Sequence, residues 1–283
     1  MNINWYPGHM TKAKKMITEN LKLVDLVVEI LDARIPYSSR NPDFKELFSN
    51  KLQIIVLNKA DLADQVTTEK WRKYYDKIDT PVILVDSKSG FGIRDFLNSV
   101  NKVMRDKFEK DRAKGMKKRP VKVMVCGIPN SGKSTFINKL TGCSAARTGN
   151  RPGVTKDKQW IKINPDIFLL DTPGVLWPKF DDDLVAINLA LTHAIKDEIL
   201  DSERLCIKLI DFLLKKYPEN LIERYILIDI NKDSQDILKD ICENRKFLIP
   251  GGAPDIQKAS STVLDEFRKG QIGTISLEEP DDF

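Results

Sequence analysis

Gly127-Ile-Pro-Asn-Ser-Gly-Lys-Ser134 constrains this chain more than any other stretch. It follows the apolar run Val121-Lys-Val-Met-Val-Cys126 and precedes the helix-periodic segment Thr135-Phe-Ile-Asn-Lys-Leu140, so it reads as strand, glycine-bounded loop and helix start. In the spacing G-x-x-x-x-G-K-S, the loop's backbone N–H groups can encircle a phosphate while the helix N-terminus adds a favourable dipole. Asn130, Ser131, Gly132, Lys133, Ser134 and Thr135 are then candidates for the phosphate side of a nucleotide site. Lys133 is placed to reach the β- and γ-phosphates and Ser134 to ligate Mg2+.

Two further loops follow strands that read as buried and parallel. Val24–Leu31 is β-branched and apolar, and ends in Asp32-Ala-Arg-Ile-Pro36. Lys51–Leu57 repeats that texture with Asn58-Lys-Ala-Asp61 at its carboxyl end, where open α/β sheets place ligand loops. An Asp61 carboxylate can accept from both N1–H and the 2-amino group of guanine, and adenine offers neither donor, so N-K-x-D there selects guanine. Helix capping by Asp61 is the plainer alternative. Pro81–Val85 runs into Asp86-Ser-Lys-Ser-Gly90, where Ser87, Lys88 and Ser89 either offer N–H groups to guanine O6 or form an ordinary turn. Beyond the phosphate loop, Thr155 is the candidate switch threonine, its hydroxyl for Mg2+ and its N–H for the γ-phosphate. Asp171-Thr-Pro-Gly174 closes another apolar strand, with Asp171 suited to the Mg2+ shell through water and the Gly174 N–H to the γ-phosphate.

The 283 residues suffice for two domains. Strand candidates dominate up to residue 180. From 181 to 283 the pattern becomes helical, with helices predicted over 184–195, 202–217, 234–244 and 260–269, and Gly270 as a C-cap. Residues 1–183 carry 33 Lys and Arg against 22 Asp and Glu, and residues 184–283 carry 13 against 19, so the two parts stand at +11 and −6. A basic first part fits a polyanionic partner or simply a solvated surface. Lys107–Arg119, with seven basic residues around Gly115, reads as an exposed linker or an RNA contact. The opening Trp5-Tyr-Pro-Gly-His-Met10 is either a terminal arm packed on the domain or a phosphate-facing segment. His193 reads as a helix-surface or core histidine. No run of 18 apolar residues and no signal-peptide pattern occur, so a soluble, cytoplasmic protein without a membrane partner is expected. Cys126, Cys143, Cys206 and Cys242 form no C-x-x-C pair, which argues against zinc and a disulfide framework.

The order of the motifs carries the argument furthest. Ordinary small GTPases run from the phosphate loop to the guanine-reading loops, whereas Asn58–Asp61 and Ser87–Gly90 precede Gly127 here. The expected fold is therefore an α/β P-loop GTPase domain with circularly permuted motif order (G4-G5-G1-G2-G3) over residues 1–180, the Lys107–Pro120 segment joining the usual ends. A smaller all-α C-terminal domain follows over 181–283. On these motifs, together with Trp5–Met10, Asp32–Pro42 and Ile249-Pro-Gly-Gly-Ala-Pro-Asp255, the chain resembles the circularly permuted GTPases of bacterial ribosome biogenesis, of the ribosome biogenesis GTPase A type.

That resemblance implies GTP and GDP as ligands with Mg2+, and hydrolysis of GTP in late assembly of the large (50S) ribosomal subunit. GTP-dependent binding to pre-50S particles and ribosome-stimulated hydrolysis driving release would follow. The alternative is a nucleotide-gated RNA-binding scaffold in which hydrolysis is incidental. Implied partners are the large subunit, its 23S rRNA through the helical domain, and ribosomal proteins, for a protein that is itself monomeric. Val175 and Leu176 stand where many GTPases carry a water-orienting glutamine, so the resemblance moves that role to His9. Asn130 matches a position that in related GTPases helps hold K+.

Overall fold

The computed structural model describes residues 9–77, 80–117, 119–142, 160–177, 180, 182–197 and 201–283, the side chains of His9 and Met10 excepted. Thr155, Cys143 and Trp5–Gly8 lie outside the described residues. The chain divides into two compact units, one joining Asn4–Asp181 with Glu278–Phe283 and the other containing Asp182–Leu277.

The first unit is built on a six-stranded sheet. Its strands are β1 (Leu26–Asp32), β2 (Leu52–Asn58), β3 (Val82–Val85), β4 (Val121–Gly127), β5 (Trp160–Asn164) and β6 (Ile167–Asp171), in the order β3-β2-β1-β4-β6-β5. Every pair is parallel except β5 with β6. The chain builds outward from β1 to β3, then returns to the other side of β1 with β4. The order reverses between β1 and β4, and a crevice outside the carboxyl ends of strands at such a point is where doubly wound sheets bind ligands. The register pairs Asp32 with Asn58, Ile30 with Gly127 and Val125 with Asp171, which brings four motif-bearing strand ends to one rim.

All seven residues of β1 are buried, as expected of a parallel strand covered on both faces. Val28 and Ile30, with Ile54, Val56 and Val125, pack against Phe96, Val100 and Met104 of α4 (Ile93–Ala113) and Phe136 and Ile137 of α5 (Lys133–Thr141). On the other face Val27, Met124 and Cys126 meet Ala13 and Ile17 of α1 (His9–Leu21) and Phe44 of α2 (Pro42–Leu47). Leu31 and Leu57 lie under Trp71 and Tyr75 of α3 (Gln65–Asp76). Each such fully buried side chain contributes about 1.5–3 kcal/mol relative to exposure.

The basic segment after α4 differs from its sequence-based reading. The helix continues to Ala113 instead of ending near Lys107, because Phe108 still packs on the core and Lys110 and Arg112 suit a helix C-terminus. The two ends of the basic run then converge on one carboxylate. Asp25, just before β1, accepts from Lys107 Nζ at 2.5 Å, from both terminal nitrogens of Arg119 at 2.7 Å and from the Lys122 N–H at 3.1 Å. Burial raises its pKa, but the two cations and these hydrogen bonds outweigh it and hold the carboxyl below the usual range. The joint between the permuted halves is thus clasped at both ends.

The second unit consists of α6 (Asp183–Leu191), α7 (Ser202–Lys216), α8 (Pro218–Tyr225), α9 (Ser234–Arg245) and α10 (Ile256–Arg268). Asp182, Asp201, Asp233 and Asp255 each accept a backbone N–H as N-caps of α6, α7, α9 and α10. The sequence pattern misses α8 and α2 because each opens with a proline, which reads as a stop although it is equally at home in the first turn of a helix. Glu266 on α10 gathers Arg224, Arg245 and the Tyr225 hydroxyl. Cys126, Cys206 and Cys242 are buried free thiols, and no helix among the described residues is long and apolar enough to cross a membrane.

Candidate nucleotide site

The turn that follows β4 holds a lysine in an unusual place. Gly132 takes φ +90°, and a Cβ there would stand 2.2 Å from Asn58 Nδ2, so only glycine lets this loop pass so close to the next one. Lys133 begins α5 immediately afterwards. Its side chain is buried, and Nζ donates to the Ile128 carbonyl at 3.1 Å, folding the lysine back over the loop's own hollow. Burial lowers its pKa, with the Asp171 charge opposing. Ser131 is buried with Oγ donating to the Ile128 carbonyl, and Ser134 and Thr135 are partly buried on the first turn of α5. Asn130 has φ +58°.

Asp171 comes from the neighbouring strand. It ends β6, its pKa is raised by burial against the lowering effect of Lys133, and no hydrogen bond to its Oδ1 is found among the described residues. Gly174 lies against the phosphate loop, where a Cβ would meet Pro129 N at 2.8 Å and Lys133 Nζ at 3.0 Å. The Val175 N–H donates to the Gly127 carbonyl at 3.2 Å, tying the D-T-P-G segment to the loop. Val175 and Leu176 are both buried, and their apolar side chains cannot orient a water molecule.

The loops after β2 and β3 complete the rim. Asn58 is buried, and its side chain donates to the Ser131 carbonyl at 2.9 Å while accepting from Ser87 Oγ at 2.6 Å and the Ser87 N–H at 3.3 Å. One amide therefore links the phosphate loop with the S-K-S-G loop. Lys59, at φ +59°, runs its stem beside Gly132 and donates Nζ to Asp32 Oδ2 at 2.8 Å. Asp32, at the end of β1, also takes a two-pronged contact from Arg34, Nε at 2.9 Å and Nη2 at 2.8 Å. Burial pushes the Asp32 pKa up, yet Arg34 and Lys59 together outweigh it and hold it below the usual carboxylate range. Asp61 follows in a 3-10 turn, Ala60–Leu62, with an exposed side chain whose pKa is raised by partial burial and by Asp86. Asp86 in turn caps the N–H groups of Lys88 and Ser89, which leaves Lys88 and Ser89 exposed at the mouth.

This geometry meets three sets of known proteins. The family described as 50S ribosome-binding GTPase matches residues 122–248. Ribosome biogenesis GTPase A of Bacillus cereus is 44% identical over 283 residues, spanning 100% of this chain and 96% of its own. The chain belongs to the ribosome biogenesis GTPase A family. The same-named protein of Thermotoga maritima is 33% identical over 280 residues, spanning 99% of this chain and 95% of its own. The crystal structure of GNP-bound YlqF from T. maritima superimposes with a TM-score of 0.66 at 29% identity, covering 96% of this chain and 100% of that one.

As a ribosome biogenesis GTPase, the protein binds guanine nucleotides and hydrolyses GTP. Asn58, Lys59, Ser87, Asn130, Ser131, Gly132 and Lys133 come together along one rim, with Asp61, Lys88 and Ser89 at its mouth and Ser134, Thr135, Asp171 and Gly174 around the loop that follows β4. Thr155 lies outside the described residues. His9 opens α1, and its side chain is likewise outside them. A buried aspartate oxygen with no hydrogen-bond partner among the described residues, at the end of the strand next to the one that leads into Ser134, is a hard oxygen donor of the kind that suits Mg2+. The residues that motif reading passes over are Asp32 and Arg34. A charged pair two positions apart at the end of a mostly apolar, fully buried strand is the signal that marks them, because buried charges are retained when they bind each other or a further group.

Proposed function

We propose that this GTPase is a nucleotide-switched assembly factor of the large ribosomal subunit. It binds late pre-50S particles with GTP, and particle-stimulated hydrolysis drives its release. The observation that carries this reading is the Asn58 bridge, which makes the guanine-side loop and the phosphate loop one connected structure responsive to a single ligand. The full-length likeness to proteins named for ribosome biogenesis supplies the setting.

Within that reading, Asp61 accepts from guanine, Ser87, Lys88 and Ser89 border the base, and Lys59 lies along the phosphate loop. Asn130, Ser131, Gly132, Lys133, Ser134 and Thr135 hold the phosphates, and the Gly174 N–H registers the γ-phosphate. Ser134, Thr155 and Asp171 hold Mg2+, which neutralises charge on the phosphate oxygens when bound. With Val175 and Leu176 buried, His9 orients the attacking water, and Asn130 contributes to a K+ site. Residues 1–180 carry the hydrolysis and 181–283 contact 23S rRNA, in a cytoplasmic monomer. The −6 charge of the helical part restricts that contact to a local basic patch, and the +11 of residues 1–183 supplies most of the salt-dependent attraction.

Co-sedimentation with large subunits under GDP and under a non-hydrolysable GTP analogue tests the reading. Binding that favours the analogue, weakens steeply with salt and accompanies stimulated single-turnover hydrolysis supports it. Nucleotide-independent binding, or turnover unchanged by subunits, favours the scaffold alternative. His9→Ala should keep GTP binding and lose the stimulated turnover.

A further inference from the structure

The last six residues, Glu278-Glu-Pro-Asp-Asp-Phe283, belong to the sheet unit although they follow the helical one in sequence. They lie on the turn that leaves β1. The Glu278 side chain is buried and accepts from the Tyr37 N–H at 2.8 Å, the Ser38 N–H at 3.1 Å and the Ser38 hydroxyl. Its carbonyl accepts from Trp71 Nε1 at 3.0 Å, and Glu279 pairs with Lys70 at 2.9 Å. Phe283 stacks on Tyr37, ring centroids 3.8 Å apart and planes 14° apart.

The turn held in this way is short and leads directly to the nucleotide site. Ser39, next to Ser38, accepts the Asp32 N–H through its hydroxyl at 3.1 Å, and the Pro36 carbonyl is held by the Tyr75 hydroxyl at 3.1 Å. Arg34, within the turn, fixes the Asp32 carboxylate, and that carboxylate fixes Lys59 beside Gly132. A carboxylate accepting several N–H and O–H donors is a strong anchor, because each bond is charge-assisted.

We propose that Glu278–Phe283 is a strap that sets the affinity of the guanine end for nucleotide. Glu278 is a positioning residue, acting through the 33–39 turn and Asp32 on Lys59. The strap's hydrogen bonds run to the turn after β1 and to α3, so it tunes binding and leaves the chemical step alone.

The test uses the full chain carrying Glu278→Gln, which sets an amide donor against the Tyr37 and Ser38 donors. Titration with fluorescent GDP should show Kd raised about five- to tenfold, the loss of a charge-assisted hydrogen-bond set. The single-turnover rate at saturating GTP should stay within about twofold. In an Asp32→Asn background the same substitution should add nothing further, since coupled positions are non-additive. Glu278→Asp should restore most of the affinity. Simple misfolding would lower the number of binding sites and leave their Kd intact. An unchanged Kd for Glu278→Gln, a parallel loss in single-turnover rate, or full additivity with Asp32→Asn would overturn the proposal.

Discussion

The guanine end and the phosphate end of the site are built on opposite electrostatic plans. At the guanine end each buried polar group is answered by the protein. Asp32 is paired twice, and Asn58 spends both ends of its amide on Ser131 and Ser87. At the phosphate end, burial pushes Lys133 and Asp171 toward their neutral forms, and Lys133 settles for its own loop's carbonyl. The first region is finished by folding. Under the proposed function, the second holds charged groups in a setting that favours them only when phosphate and a cation share it, which is how sites give up stability for function.

The same chemical change should therefore have opposite effects at the two ends. Asp32→Asn removes the buried carboxylate that Arg34 and Lys59 share and should cost about 3–5 kcal/mol in urea unfolding. A smaller loss than about 1 kcal/mol would break the contrast. Lys133→Ala should lower kcat by about 10²–10³ through lost stabilisation of charge on the transferring phosphoryl group, while leaving the nucleotide-free protein's Tm unchanged or higher. Asn58→Ala strands the Ser87 donors and should cost about 1–3 kcal/mol in unfolding, with weaker GDP binding alongside. Asp171→Asn, the smallest change in stability, should stabilise the nucleotide-free protein by about 0.5–2 kcal/mol, with Mg2+-dependent turnover lost alongside.

Titration sharpens the contrast further. Asp32 has a depressed pKa in the folded state, so its stabilisation is present above the unfolded value of about 4 and drains away as pH falls below it. Asp171 has a raised pKa, so its contribution is largest in acid and is lost as pH rises from about 4 through the folded value. Asp32→Asn should flatten the acid side of the stability profile of the nucleotide-free protein, and Asp171→Asn the side above it. Identical profiles for the two variants would remove the distinction.

Much of this was legible in the sequence. Apolar β-branched runs ending in G-x-x-x-x-G-K-S, N-K-x-D and D-x-P-G place their loops at strand carboxyl ends, and the register puts Asn58, Gly127 and Asp171 on one rim as those runs imply. What was not legible is how side chains divide their bonds. Asn58 reads as a ligand contact within its motif, whereas its amide is committed to two loops 29 and 73 residues away. The basic run Lys107–Arg119 reads as an exposed linker or an RNA contact, whereas Lys107 and Arg119 are drawn back to Asp25 from 82 and 94 residues away. Pairings across such separations depend on topology, and no local pattern encodes them. Glu278 is the extreme case, an acidic residue in a polar tail whose partners lie some 240 residues earlier.

The return of the chain at Glu278 also changes what the helical unit is. It is an insertion, leaving the sheet unit at Asp181 and rejoining it at Glu278. In sequence the departure follows Gly174 and Val175 by a few residues, and the return leads into Glu278, which accepts from the turn after β1. The two units are therefore joined by two separate chain crossings, and a single proteolytic cut at either junction would open one while leaving the other intact.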